Sequence, residues 1–119
     1  MIEKKVCWVG SSLQELKAVS KQVKKAIGFE LNLLQHGEES RDFKPMVSVG
    51  KGVFEIRVRD EHNKNVGRCF YVAKFEDSIF VLHVFIKKSQ KTPLLNLAVG
   101  KKRYQELLRF LGNKNGRKI

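Results

Sequence analysis

Arg57, Arg59, Arg68, His83, Lys87, Lys88 and Lys91 are the residues of this chain whose types could do chemistry together. Cations bind phosphate oxygens, and cations held on one surface offset the extra negative charge of a phosphorane. An RNA strand broken through its own 2′-oxygen passes through such a species. That reaction needs no metal if cations are in place, but a base and an acid must move protons. Phe85 and His83 add rings on which an unpaired base could stack. The three histidines and the acids are scattered without ligand spacing, so neither a metal site nor a cofactor is expected.

Each of these residues also has a plainer reading. Arg57 and Arg59 fit the solvated side of an edge strand, and Arg68 could be an ion-pair partner of Glu55. Lys87 and Lys88 could simply mark a strand end and guard it against aggregation. His83 reads as a satisfied structural histidine ahead of a proton shuttle. Tyr71 and Tyr104 read as core, His36 and His62 as loop residues. What lifts the set is convergence, since three separate strands aim cations at one surface. Taken alone, the residues lead to a basic sheet face that binds nucleic acid.

The elements that must position them follow from periodicity. Residues 53–59 alternate, with Phe54, Ile56 and Val58 on one face and Glu55, Arg57 and Arg59 on the other. A turn-rich loop over 60–65 leads to a strand over 68–75. Glu76, Asp77 and Ser78 then turn the chain into a strand over 79–87. There Phe80, Leu82, Val84 and Ile86 are expected on one face, with His83, Phe85 and Lys87 on the other. Thr92 caps a final helix with Pro93 at its first position and Gly112 just past its end. Leu97, Tyr104, Leu108 and Leu111 form its core stripe.

Upstream, residues 6–9 read as a short strand, and Ser12 with Glu15 as a capping box. Leu13, Leu16, Val23, Ile27 and Leu34 recur near helical period, with Lys17, Lys21, Lys24 and Lys25 between them. The stretch suits two helices, broken near Val19 and Ser20 and closed by His36 and Gly37. Residues 37–45 read as a polar loop. The expected architecture is α+β: an antiparallel sheet of four to five strands, an N-terminal helical hairpin and a C-terminal helix. The helices are expected on one sheet face, leaving the other half exposed with Arg57, Arg59, Arg68, His83 and Lys87.

At 119 residues with 42% hydrophobic content, the chain fits a single domain over 1–119, with 113–119 as a flexible basic tail. The net charge of +12 calls for an acidic partner: RNA, DNA, a ribosome or an acidic protein. Most of that charge lies late, with a net of +3 over 1–86 and +9 over 87–119. Cys7 and Cys69 lack metal-ligand spacing and suit reduced core positions in a cytoplasmic protein. No apolar run approaches the roughly 20 residues of a membrane span, and no secretory signal opens the chain, so no membrane association is expected.

Gly52, Phe54, Glu55, Ile56 and Arg57, then Gly67 and Arg68, then the run from Leu82 and His83 through Lys87, Lys88, Ser89, Gln90, Lys91, Thr92 and Pro93 together resemble a known signature. It is that of the phage-derived, HigB-like branch of the RelE/ParE superfamily of type II toxins. Trp8, Ser11 and Ser12 near the start, and Leu34, Gln35, His36 and Gly37, also fit, so the likeness covers about 6–111. The lysine-rich run is its specific part. Gly100 departs from the usual alanine, a change that costs a helix roughly 1 kcal/mol unless it allows close packing on the sheet. Leu94 stands where RelE carries a catalytic tyrosine, which leaves the general base unassigned.

The resemblance implies a RelE-like fold and a metal-independent endoribonuclease that cuts messenger RNA on the ribosome. By position, Arg57 and Arg68 would hold the scissile phosphate. Lys87 or Lys88 would add charge and protonate the leaving oxygen. Arg59 and Lys91 would touch flanking phosphates, with His83 a candidate for proton transfer. It also implies an antitoxin partner, a helix-turn-helix protein of the HigA kind. Two other readings compete: a ParE-like inhibitor of gyrase that leaves RNA uncut, and an inactive phage-derived RNA-binding module.

Overall fold

The computed structural model describes residues 3–75, 77–88 and 92–115, without the side chains of 113–115. Its elements are β1 (Lys5–Trp8), α1 (Ser12–Ala18), α2 (Lys21–Gln35), β2 (Phe43–Pro45), β3 (Val53–Val58), β4 (Gly67–Val72), β5 (Ser78–Ile86) and α3 (Leu94–Asn115). The five strands make one sheet in the order β1-β5-β4-β3-β2. β2 to β5 are antiparallel neighbours, and β1 joins the edge of β5 in parallel. The fold is α+β, with two helices before the meander and one after it.

The helices do not share one sheet face. Ile56, Val58, Cys69, Tyr71, Ile79, Val81 and Val84 are buried with Val23, Ile27, Leu31 and Leu34 of α2. On the opposite face Val53, Phe70, Val72, Phe80, Leu82 and Phe85 are buried with Tyr104 and Leu107 of α3. The face expected to be half exposed is therefore largely covered. The reason lies in the central strands: every residue of β4 is buried, and a strand apolar on both sides needs cover on both. Two glycines let the helices approach. A Cβ on Gly67 would meet Val58 at 2.5 Å and Val23 of α2 at 2.8 Å. One on Gly100 of α3 would meet the Phe70 ring at 2.9 Å, so this glycine does sit against the sheet.

Within β5 the expected alternation fails. Phe70 pairs with His83 but Tyr71 with Val81, leaving Leu82 as an extra residue. This bulge puts Phe80, Leu82 and Phe85 on the α3 side and Ile79, Val81 and Val84 on the α2 side.

Other boundaries differ for local reasons. Ser12 is the first residue of α1 rather than its cap, and its hydroxyl donates to the Val81 carbonyl at 3.1 Å. Glu15 also turns into the protein instead of closing a capping box. The break at Ser20 is as expected, its hydroxyl accepting from the Val23 amide at 3.3 Å. Residues 43–45, read as loop, form β2 against β3. α3 starts one residue beyond Pro93, whose carbonyl accepts from the Asn96 and Leu97 amides, and runs through Gly112 to Asn115.

Candidate nucleic-acid interface

β3 and β4 pair with Arg57 directly opposite Arg68, on the sheet face that α3 covers further along. Like charges so placed repel, and neighbouring polar groups hold them. Arg57 donates from Nε to Asp42 Oδ1 at 2.9 Å, and its Nη2 lies 2.7 Å from the same oxygen. Asn65 donates to Asp42 Oδ2 at 3.3 Å and accepts at Oδ1 from Arg68 Nη1 at 3.1 Å. Arg68 Nη1 also donates to the Gly67 carbonyl at 3.0 Å. One chain of bonds thus fixes both guanidinium groups.

Behind them lies Glu55, 0% exposed, with no hydrogen-bond partner for either carboxylate oxygen among the described residues. Its charge is met at ion-pair distance only, by Arg68 Nε at 3.8 Å and Lys44 Nζ at 3.9 Å. The plainer reading of Arg68 is thus present in the structure: it faces Glu55, and its side chain is only 7% exposed. Burial lowers the Arg68 pKa, against the opposing pull of Glu55. Lys87 stands just past β5, its amide bonded to the Val66 carbonyl at 2.7 Å. Partial burial and the Arg68 charge hold its ammonium below the ordinary lysine pKa, with Lys44 and Arg57 adding to the effect and Glu55 opposing it. A lysine so shifted gives up its proton more readily than an isolated one.

The remaining candidates divide. Lys88 is exposed one residue beyond Lys87. Arg59 is exposed past the end of β3 and donates to the Asn63 carbonyl at 2.8 Å, bracing the β3–β4 loop. Lys91 lies outside the described residues. His83 and Phe85 are inside. Their rings stack at 4.9 Å, and Phe70 packs edge-on to Phe85 at 5.1 Å, so neither ring offers a surface for a base.

His83 instead belongs to a second polar group joining α1, β5 and α3. Its Nδ1 donates to Glu15 Oε1 at 2.8 Å, and its Nε2 lies 2.7 Å from Asn96 Oδ1. Glu15 Oε1 also accepts from the Val84 amide at 3.1 Å and from Arg103 Nη1 at 2.8 Å. Arg103 donates further to the Leu82 carbonyl at 3.0 Å and to the Ser11 hydroxyl at 2.9 Å. Past Trp8, where β1 ends, these side chains occupy the open edge of β5. Burial would raise the Glu15 carboxyl, but Arg103, His83 and the Val84 amide outweigh it and hold its pKa below the ordinary value.

Sequence reasoning missed Asp42, Lys44, Asn65, Glu15, Asn96 and Arg103 as parts of these groups. Asp42 and Lys44 were hidden with β2. Asn65 looked like any turn residue. Arg103 alone carried a signal, as part of the basic run in α3. No cluster of three or more histidine, cysteine, aspartate or glutamate side chains that could hold a metal occurs among the described residues.

The family described as phage-derived protein Gp49-like (DUF891) matches residues 14–105. The chain belongs to this family. The Gp49-like proteins are a RelE-type toxin family of toxin–antitoxin systems, and the class brings with it an antitoxin as partner. No curated protein matches the chain. The matched span of the Gp49-like family takes in both polar groups apart from Ser11 and stops inside α3. No helix among the described residues is long and apolar enough to cross a membrane.

Proposed function

We propose that this Gp49-like protein is the toxin of a type II pair of the HigB kind and cuts messenger RNA on the ribosome, in the cytoplasm. The observation that carries the reading is the cross-strand pair Arg57 and Arg68 with Lys87 beside them. In the proposed reaction the 2′-oxygen attacks the adjacent phosphorus as its proton passes to solvent water. The bond to the 5′-oxygen then breaks, giving a cyclic phosphate and a 5′-hydroxyl. Arg57 and Arg68 carry the charge of the phosphorane. Lys87, with its lowered pKa, delivers the proton to the leaving oxygen, Lys88 adding charge. Arg59 and Lys91 contact flanking phosphates, and His83 orients α3 from within. The partner is a helix-turn-helix antitoxin of the HigA kind that masks the cationic face.

The test is induction in cells, followed by primer extension on total RNA. New 5′ ends within translated messages, growth arrest, and loss of both in Arg68→Ala with the fold kept are the expected results. Toxicity that survives removal of Arg57, Arg68 and Lys87 together sinks the reading. DNA damage with intact messages would favour gyrase inhibition instead.

A further inference from the structure

Residues 16–29 contain four lysines and no acid. Lys17 closes α1, and Lys21, Lys24 and Lys25 form the first turns of α2. All four are exposed, and none has an ion-pair partner among the described residues. The flanking acids are turned away, Glu15 toward His83 and Arg103, Glu30 toward Ser40 and Arg41. This arrangement opposes the fold's own interest. Lysines three and four residues apart repel one another. Cations near a helix N-terminus also meet the positive end of its dipole, and α2 has no acid in its first turn. A surface selected for stability alone would place acids there.

We propose that this lysine surface is a second RNA-binding site, which grips the phosphate backbone of structured RNA. α2 packs on the sheet face opposite the Arg57–Arg68–Lys87 cluster, so one strand lying in that cluster does not reach it. Two basic surfaces back to back suit a protein lodged between two RNA elements, one read as substrate and the other as a wall. The exposed residues between the lysines, Ala18 and Gln22, offer no aromatic or large apolar anchor, and the half-exposed Phe29, one turn beyond Lys25, is already covered by the Arg41 guanidinium at 4.6 Å. Protein interfaces are poor in lysine and rich in such anchors, whereas phosphate contacts come from exposed lysines and arginines. A rigid helix bearing them matches a rigid duplex. The inference shares the RNA target of the function proposed above, and not its cleavage step.

The test uses the full chain and the variant K17Q, K21Q, K24Q, K25Q, against a control K5Q, K51Q, K64Q, K74Q of equal net charge. Affinity for an RNA duplex is measured across a salt series, beside a single-stranded RNA. The first variant should lose at least tenfold in duplex affinity at low salt. Its log–log salt slope should fall by about 0.9 for each phosphate contact removed. Its single-strand binding and its melting temperature should not fall. The control should keep most of the duplex affinity. Equal losses in both variants, an unchanged slope, or no duplex binding by the native chain overturns the proposal. So does a loss confined to binding of anionic phospholipid vesicles. If the lysine variant fails on duplex while the native chain leaves messages uncut, this surface stands and the cleavage reading falls.

Discussion

At the scale of single residues, Glu55 decides how the cationic face behaves. It is fully buried, lacks hydrogen bonds among the described residues, and stands at ion-pair distance from Arg68 and Lys44. Its charge opposes the lowering of the pKa at both Arg68 and Lys87. Glu55→Gln therefore drops the Lys87 pKa further. If protonated Lys87 is the acid, cleavage is lost as pH rises through that value, and the high-pH limb of the rate profile moves to lower pH in the variant. A limb that stays put excludes Lys87 as the acid. The same scale shows what was legible beforehand. Arg57 and Arg68 stood out because alternation alone puts a charge on a known side of a strand. Asp42 and Asn65, which hold them, did not, because their partners are distant in sequence and no local pattern marks a residue as an arginine's keeper.

At the scale of elements, the strands and helix breaks followed from local pattern wherever one face was polar. Pattern failed where it carried no contrast. β5 is apolar from Ile79 to Leu82, so nothing in its composition marked the bulge at Leu82. Ser12 and Glu15 had capping-box spacing, but both found stronger tertiary partners on β5. Two predictions belong here. Gly67→Ala and Gly28→Ala are the same change with opposite outcomes. At Gly67 the new methyl meets Val58 at 2.5 Å and Val23 at 2.8 Å, which should cost about 1–3 kcal/mol. At Gly28, exposed in α2, nothing lies within 4 Å, and alanine should add roughly 1 kcal/mol. Denaturant midpoints for the two variants check both signs. The second concerns the edge of β5. Since the Glu15 pKa is depressed in the folded chain, its contribution is present above the ordinary value of 4.5 and lost as pH falls through the folded value. Glu15→Gln should be less stable at neutral pH, yet lose less stability on acidification than the native chain. Parallel curves against pH would show that Glu15 is not the group responsible.

At the scale of the whole molecule, a net charge of +12 on 119 residues repels itself, and the fold offsets little of this internally. Several acids are already engaged: Asp42 with Arg57, Glu30 with Arg41, Glu15 with Arg103. Among the described residues those pairs leave the lysines of α1 and α2, and Lys87 with Lys88, without an ion-pair partner, on two sides of the sheet. Relief then has to come from outside, as salt or as a bound polyanion, and the two are separable. Simple salt screens repulsion over about 8–10 Å and should raise the melting temperature gradually. RNA binds the folded chain and stabilises it by mass action, by about 2.7 kcal/mol at a hundredfold excess over its Kd. At this chain length that corresponds to a rise of roughly 10 °C. The RNA effect should shrink as salt increases, because salt competes for the same lysines and arginines. Melting curves over a salt series, with and without RNA, should therefore converge at high salt. Parallel curves would mean that RNA stabilises the chain through contacts other than charge, and the electrostatic account of both surfaces would fail together.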